Sequence, residues 1–222
     1  MSEYLIQVQG KPFDLTKLTV GLGWAVANSY GEIPAVHYPG TPRPHQEHDL
    51  DMVALLLDET GKIAQLGGLG GGAGSVAGSI ASPGQGDVVF HKVPSHSSGA
   101  VYLSGDNRMG VEAGQLHADG EQIVVDLNKL EPQYHRIVLM VTIHDGRHRS
   151  QNFGVVRNAW VRAMDANDQL IARLQISGNP ALARFSAMSF AELVREGAGW
   201  KFVYLGVPHE SDRFVDLLKP YL

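Results

Sequence analysis

The chain has 222 residues, 44% of them hydrophobic and only 18% charged, with a formal net charge of −5. Such a composition buries an apolar core and excludes both an intrinsically disordered chain and a solvated charged helix. The lack of cysteine excludes disulfides, thiolate catalysis and zinc sites built on sulfur, and the negative balance argues against nucleic acid as a partner, which would need clustered Lys and Arg.

In chain order, Met1-Ser2-Glu3-Tyr4 shows no basic region leading into an apolar run, so no secretory signal is read there and a cytoplasmic location is expected. Lys17 to Trp24 alternates in polarity as a half-buried strand does, and Met52 to Leu57 is a short apolar run of buried-strand length. Between them, Pro34 to His48 is interrupted by prolines and is read as a surface insertion at about 34–48. From Ile63 to Gly86 no charged residue occurs, a length that could cross a bilayer. Its glycine density opposes that reading, at roughly 1 kcal/mol of lost helix propensity per glycine. The tract at about 66–86 is therefore expected to be a second loop insertion, and the chain is not expected to span a membrane.

Asp87 to Phe90, Ala100 to Leu103, Gln122 to Leu127, Arg136 to Ile143, Ala159 to Met164 and Leu170 to Ile176 continue the series of strands. Ser186 to Val194 and Trp200 to Leu205 are joined by Gly197-Ala198-Gly199, which suits a hairpin. Ser211 is placed to cap a helix over 212–218, and Pro220 to stop it. Many strands and one terminal helix predict an all-β fold, a two-sheet antiparallel β-sandwich with a short C-terminal helix, formed by residues 1–222 as a single domain.

The densest polar constellation lies between the strands ending at Leu103 and starting at Gln122. Asp106, Asn107, Glu112, Asp119 and Glu121 offer oxygen ligands on a glycine-bearing loop, the kind of donor set that calcium takes at 2.3–2.6 Å. Asp49 and Asp51 stand at alternate positions of an extended segment, so both carboxylates face one side. The same Gly-Asp-Asn run is equally a plain turn without a ligand, and the EF-hand spacing is not present. His144-Asp145 and His148 follow a strand and flank Gly146; a structural turn explains them more simply than a metal or catalytic pair. The glycine tract has neither dinucleotide nor P-loop spacing, and no G-x-S-x-G elbow surrounds Ser75. A non-enzymatic protein is expected.

Gly21-Leu22-Gly23-Trp24, Asp49-Leu50-Asp51, Gly105-Asp106-Asn107-Arg108-x-Gly110, Val141-Thr142-Ile143-His144-Asp145, Gln151-x-Phe153-Gly154-x-Val156 and Trp200-Lys201-Phe202 occur in an order that resembles the TerD tellurium-resistance family over about residues 15–218. The resemblance implies a calcium-binding β-sandwich of a bacterial tellurium-resistance or chemical-stress system. It also implies action through other tellurium-resistance proteins, in a complex at the inner face of the membrane. The family's calcium loop corresponds here to Asp106, Asn107, Gly110 and, after an insertion, Asp119 and Glu121, with Asp49 and Asp51 on the neighbouring segment. Ala25, Met109 and His91-Lys92 depart from the family pattern, and the loss of oxygen donors predicts one calcium ion where the family has two. The rival expectation is a metal-dependent hydrolase or nucleotide-binding protein using the same carboxylates around a catalytic cation. With six methionines and no cysteine, direct chemistry on tellurite is the least expected role.

Overall fold

The computed structural model describes residues 4–25, 48–67, 86–111 and 118–222. Most of both expected insertions, and Glu112, lie outside the described residues. The strands are β1 (Leu5–Gln7), β2 (Lys17–Gly23), β3 (Leu50–Leu57), β4 (Val88–Val89), β5 (Val101–Leu103), β6 (Glu121–Asp126), β7 (Arg136–Ile143), β8 (Trp160–Met164), β9 (Leu170–Gln175), β10 (Ala187–Glu196) and β11 (Gly199–His209), followed by helix α1 (Phe214–Leu218). They form two antiparallel sheets, one ordered β1-β9-β8-β2-β6-β5 and the other β11-β10-β7-β3-β4.

The strand period of two sends alternate residues into one shared core. Leu18, Val20 and Leu22 of β2 meet Leu50, Met52, Ala54 and Leu56 of β3 and Ile137, Leu139 and Val141 of β7 there, all buried. A second cluster covers the opposite face of the five-stranded sheet. Val53, Leu55, Leu57, Val138 and Met140 pack beneath Leu217 and Leu218 of α1, with Phe90 stacked on Phe214 at 4.7 Å between ring centroids. The C-terminal helix thus explains why β3 reads as an unbroken apolar run from Met52 to Leu57, since every residue of the strand is buried.

The boundaries depart from expectation in several places, β11 for one running on to His209. β1 was not expected from the sequence; three residues are too few to carry a period, and its place is fixed by pairing with β9, Leu5 opposite Leu174. β3 starts two residues early, which brings Asp51 into the strand opposite Thr142. Pro220 does not end the helix but lies in a 3₁₀ turn over Lys219–Tyr221, where a missing N–H is harmless. Ser211 also differs from a simple cap: its hydroxyl accepts from Arg213 N and donates to Asp216 Oδ2 at 2.9 Å.

At the two ends of the glycine-rich stretch, Asp87 N donates to Gln65 O and Gln65 N to Asp87 Oδ2, each at 2.7 Å. Asp87 Oδ1 accepts from the Tyr134 hydroxyl at 2.7 Å, and His96 Nε2 lies 3.1 Å from that hydroxyl. The stem is therefore anchored in a buried polar network.

Candidate metal centre

Asp51 occupies the row of β3 that continues as Val53, Leu55 and Leu57, the row that packs against α1. His91 reaches it just after β4 and His144 just after β7. His91 Nδ1 is 3.1 Å from Asp51 Oδ1, and His144 Nδ1 is 3.5 Å from Asp51 Oδ2. Asp49 is held on the same segment by its carbonyl, which accepts from His144 N at 2.8 Å.

Asp106 arrives on the loop after β5, and that loop is shaped by Asn107. The Asn107 Oδ1 accepts from Met109 N and Gly110 N, both at 3.0 Å, while its Nδ2 donates to Gly110 O at 3.1 Å. This is the side-chain turn that asparagine favours. Gly110 has φ +89, and a Cβ there would come within 2.8 Å of the Trp24 indole, so only glycine closes the loop over that ring. Trp24 is fully buried; its Nε1 donates to His48 O at 2.7 Å, and its carbonyl accepts from Val111 N at 2.8 Å. One residue, through its indole and its carbonyl, thus fastens the segment bearing Asp49 and Asp51 to the loop bearing Asp106.

Asp49, Asp51 and Asp106 each place a carboxylate oxygen within 4.8 Å of the others, and so do the ligand atoms of Asp51, His91 and His144. The Asp49 Oδ1 is buried without a hydrogen-bond partner. Burial, with the Asp51 charge next, raises the Asp49 pKa above its usual range. Glu121 opens β6 on the core side. Its Oε2 accepts from Met52 N and its Oε1 from Asn107 N, each at 3.1 Å. Burial pushes its pKa up to about 8, and the nearby charge of Asp51 adds to the shift against those two hydrogen bonds. The Asp51 carboxylate raises the pKa of His91 against the opposing effect of burial. On the open side, Arg108 Nε pairs with Asp106 Oδ2 at 3.0 Å.

Of the residues expected to bind metal, the structure gathers Asp49, Asp51 and Asp106. Asn107 and Gly110 shape the loop, and Glu121 clamps it to β3. Asp119, expected to complete the site, is engaged elsewhere. Its Oδ2 takes hydrogen bonds from Arg162 at 3.0 Å and Gln122 at 2.7 Å, and a Cβ on Gly21 would collide with its carboxylate. His91 was not among the expected ligands, since with Lys92 it stood out only as a departure from the family pattern. His144 sits in the turn expected of it, with Gly146 N donating to Ile143 O, yet its ring is turned to Asp51. The signal available was the strand end itself, since antiparallel pairing sets Leu50 opposite Ile143.

Two six- and five-stranded antiparallel sheets with a carboxylate cluster at one end define the class, and comparison with known proteins agrees. The family model described as "TerD domain" matches residues 78–221. The chain is 38% identical over 218 residues to the Tellurium resistance protein TerX of Serratia marcescens, covering 98% of this chain and 95% of that one. It is 31% identical to the Stress response protein SCP2 of Bacillus subtilis (strain 168), covering 94% and 90%. A solved structure of a homologue of telluride resistance protein (TerD) from Streptomyces coelicolor A3(2) superposes with a TM-score of 0.62 at 17% identity, covering 90% and 94%, and so shares the fold. The chain belongs to the TerD family of tellurium-resistance and stress-response proteins.

Proposed function

We propose that this family member is a non-enzymatic calcium-binding module that acts in the cytoplasm through protein partners, other tellurium-resistance proteins being the first candidates, in a complex that includes a membrane component. The observation that carries the reading is the meeting of Asp49, Asp51 and Asp106 within 4.8 Å. Two ligands of one calcium ion can stand no further apart than about 5 Å, twice the longest bond. The donor set fits: three carboxylates supply up to six oxygens, one of them, Asp49 Oδ1, buried and unpartnered. When bound, calcium would neutralise the cluster and fix the Asp106 loop against β3, giving a partner a defined surface. Among the described residues no helix is long and apolar enough to cross a membrane, so membrane association is proposed to run through the partner. The hydrolase or nucleotide-binding alternative has no observation in its favour among the described residues.

Calorimetric titration of chelator-treated protein with calcium and with magnesium tests the proposal. One calcium ion per chain is expected, lost in Asp49→Asn and Asp106→Asn. Calcium at about 100 times its dissociation constant should add roughly 2.7 kcal/mol of stability. A melting temperature unchanged across millimolar calcium overturns it.

A further inference from the structure

We propose that Asp51, His91 and His144 form a second site, for a divalent cation of the zinc class, adjoining the carboxylate cluster and sharing Asp51 with it. The proposal stands whether or not the oxygen cluster binds calcium. Two imidazoles and a carboxylate are a donor set that calcium, which takes oxygen, does not use, whereas first-row ions of zinc's kind take His nitrogen and Asp oxygen together.

The geometry is close to what such an ion needs. With bonds of about 2.0–2.1 Å in a tetrahedron, neighbouring ligand atoms stand about 3.3 Å apart. The Asp51 carboxylate already lies 3.1 Å from His91 Nδ1 and 3.5 Å from His144 Nδ1, and one ligand atom of each residue lies within 4.8 Å of the other two. The two imidazole rings meet edge to face, with centroids 5.6 Å apart, so modest side-chain rotation converges their nitrogens.

Two further observations point to a ligand. His91 Nδ1 is closed off from solvent and faces the Asp51 carboxylate at 3.1 Å, so the two groups that would share the ion already meet inside the fold. His144 has its other nitrogen, Nε2, 3.7 Å from Asp145 Oδ2, too long for a hydrogen bond but close enough for a small rotation to bring the carboxylate behind the imidazole, as in metal-binding histidines. The ligands are held by β3, by the residue pair after β4 whose Phe90 stacks on α1, and by the turn after β7. Three protein ligands leave one position of a tetrahedron open, which suits an exchangeable ion.

The test uses the full chain, tag-free and chelator-treated, titrated with Zn(II) and with Co(II), whose visible d–d absorption reports coordination. One equivalent is expected. His91→Gln and His144→Gln should each weaken binding by at least the ten- to hundredfold that outer-shell partners alone carry and abolish the tetrahedral cobalt spectrum, while His135→Gln changes neither. Asp49→Asn and Asp106→Asn should leave zinc binding intact, so failure of the calcium reading is distinguishable from failure of this one. Circular dichroism checks folding. Should His91→Gln misfold, the more exposed His144 carries the test. Zinc affinity unchanged in folded histidine variants, or no zinc binding at micromolar concentration, overturns the proposal.

Discussion

Asp51 and Asp119 are both carboxylates almost closed off from solvent, with side chains 8% and 4% exposed, yet their surroundings are opposite. Asp119 lies over Gly21 of the six-stranded sheet, paired with Arg162, which itself rests on the Trp160 ring 5.1 Å from its centroid; Arg173 lies 4.9 Å from the centroid of the same ring. That carboxylate has its cation built into the fold. Asp51 on the five-stranded sheet stands among Asp49, Asp106 and Glu121, and its nearest cationic candidates are two imidazoles. The difference teaches that a carboxylate is withdrawn from ligand duty where a cation fixed by the fold has reached it, as the Trp160-backed Arg162 has reached Asp119, whereas the mostly exposed Arg108 beside Asp106 can be displaced.

The largest expected effect tests whether the Asp51 end is under-compensated. In chelator-treated protein the Glu121 pKa of about 8 lies above its ordinary 4.5, so the native state holds that proton more tightly than the unfolded chain does. The stability attached to it is fully present below about pH 4.5 and is lost as pH rises toward 8, by up to about 1.4 kcal/mol per unit. Urea unfolding across that window should show the decline, and Glu121→Gln should flatten it. A wild-type profile without a slope attributable to Glu121 would mean that the two ends are equally well compensated.

At the other end, Asp119→Ala strands Arg162 beside Gly21. Complete burial of such a pair would put the loss near 3–5 kcal/mol; with the Arg162 side chain 31% exposed, about 2–3 kcal/mol is expected in urea melts. Calcium stoichiometry should be unchanged, and a lost calcium site would return Asp119 to the list of ligands. The smallest effect concerns Arg108, which is mostly exposed and pairs with Asp106. Arg108→Gln should raise calcium affinity by up to about fivefold, matching the 0.2–1 kcal/mol of an exposed ion pair. Weakened binding instead would show that the arginine organises the loop.

Much of the fold was legible because β7, β8 and β9 carry a full period between turn residues, and the Gly197–Ala198 hairpin announces itself. β1 was not, since its position is decided by its partner strand. The burial of both faces of β3 could be read from its apolar run, but the reason, a helix some 160 residues later, could not. At the site, Asp49, Asp51 and Asp106 were identifiable by residue type and spacing. The neutralisation of Asp119 was hidden because Arg162 comes from β8, 43 residues further on. The approach of His91 and His144 was hidden for a similar reason, as each lies at the end of a different strand, and only the pairing of β3 with β7 and β4 brings them to Asp51.

The hydrogen-bonded stem at Gln65 and Asp87 has an evolutionary consequence. Because the backbone leaves and re-enters the sandwich at one point fixed by Tyr134 and His96, the stretch between can lengthen or shorten without asking the sheets to move. The two ends of that stretch are thus set by their own polar network, while the carboxylate end is pinned separately by Trp24.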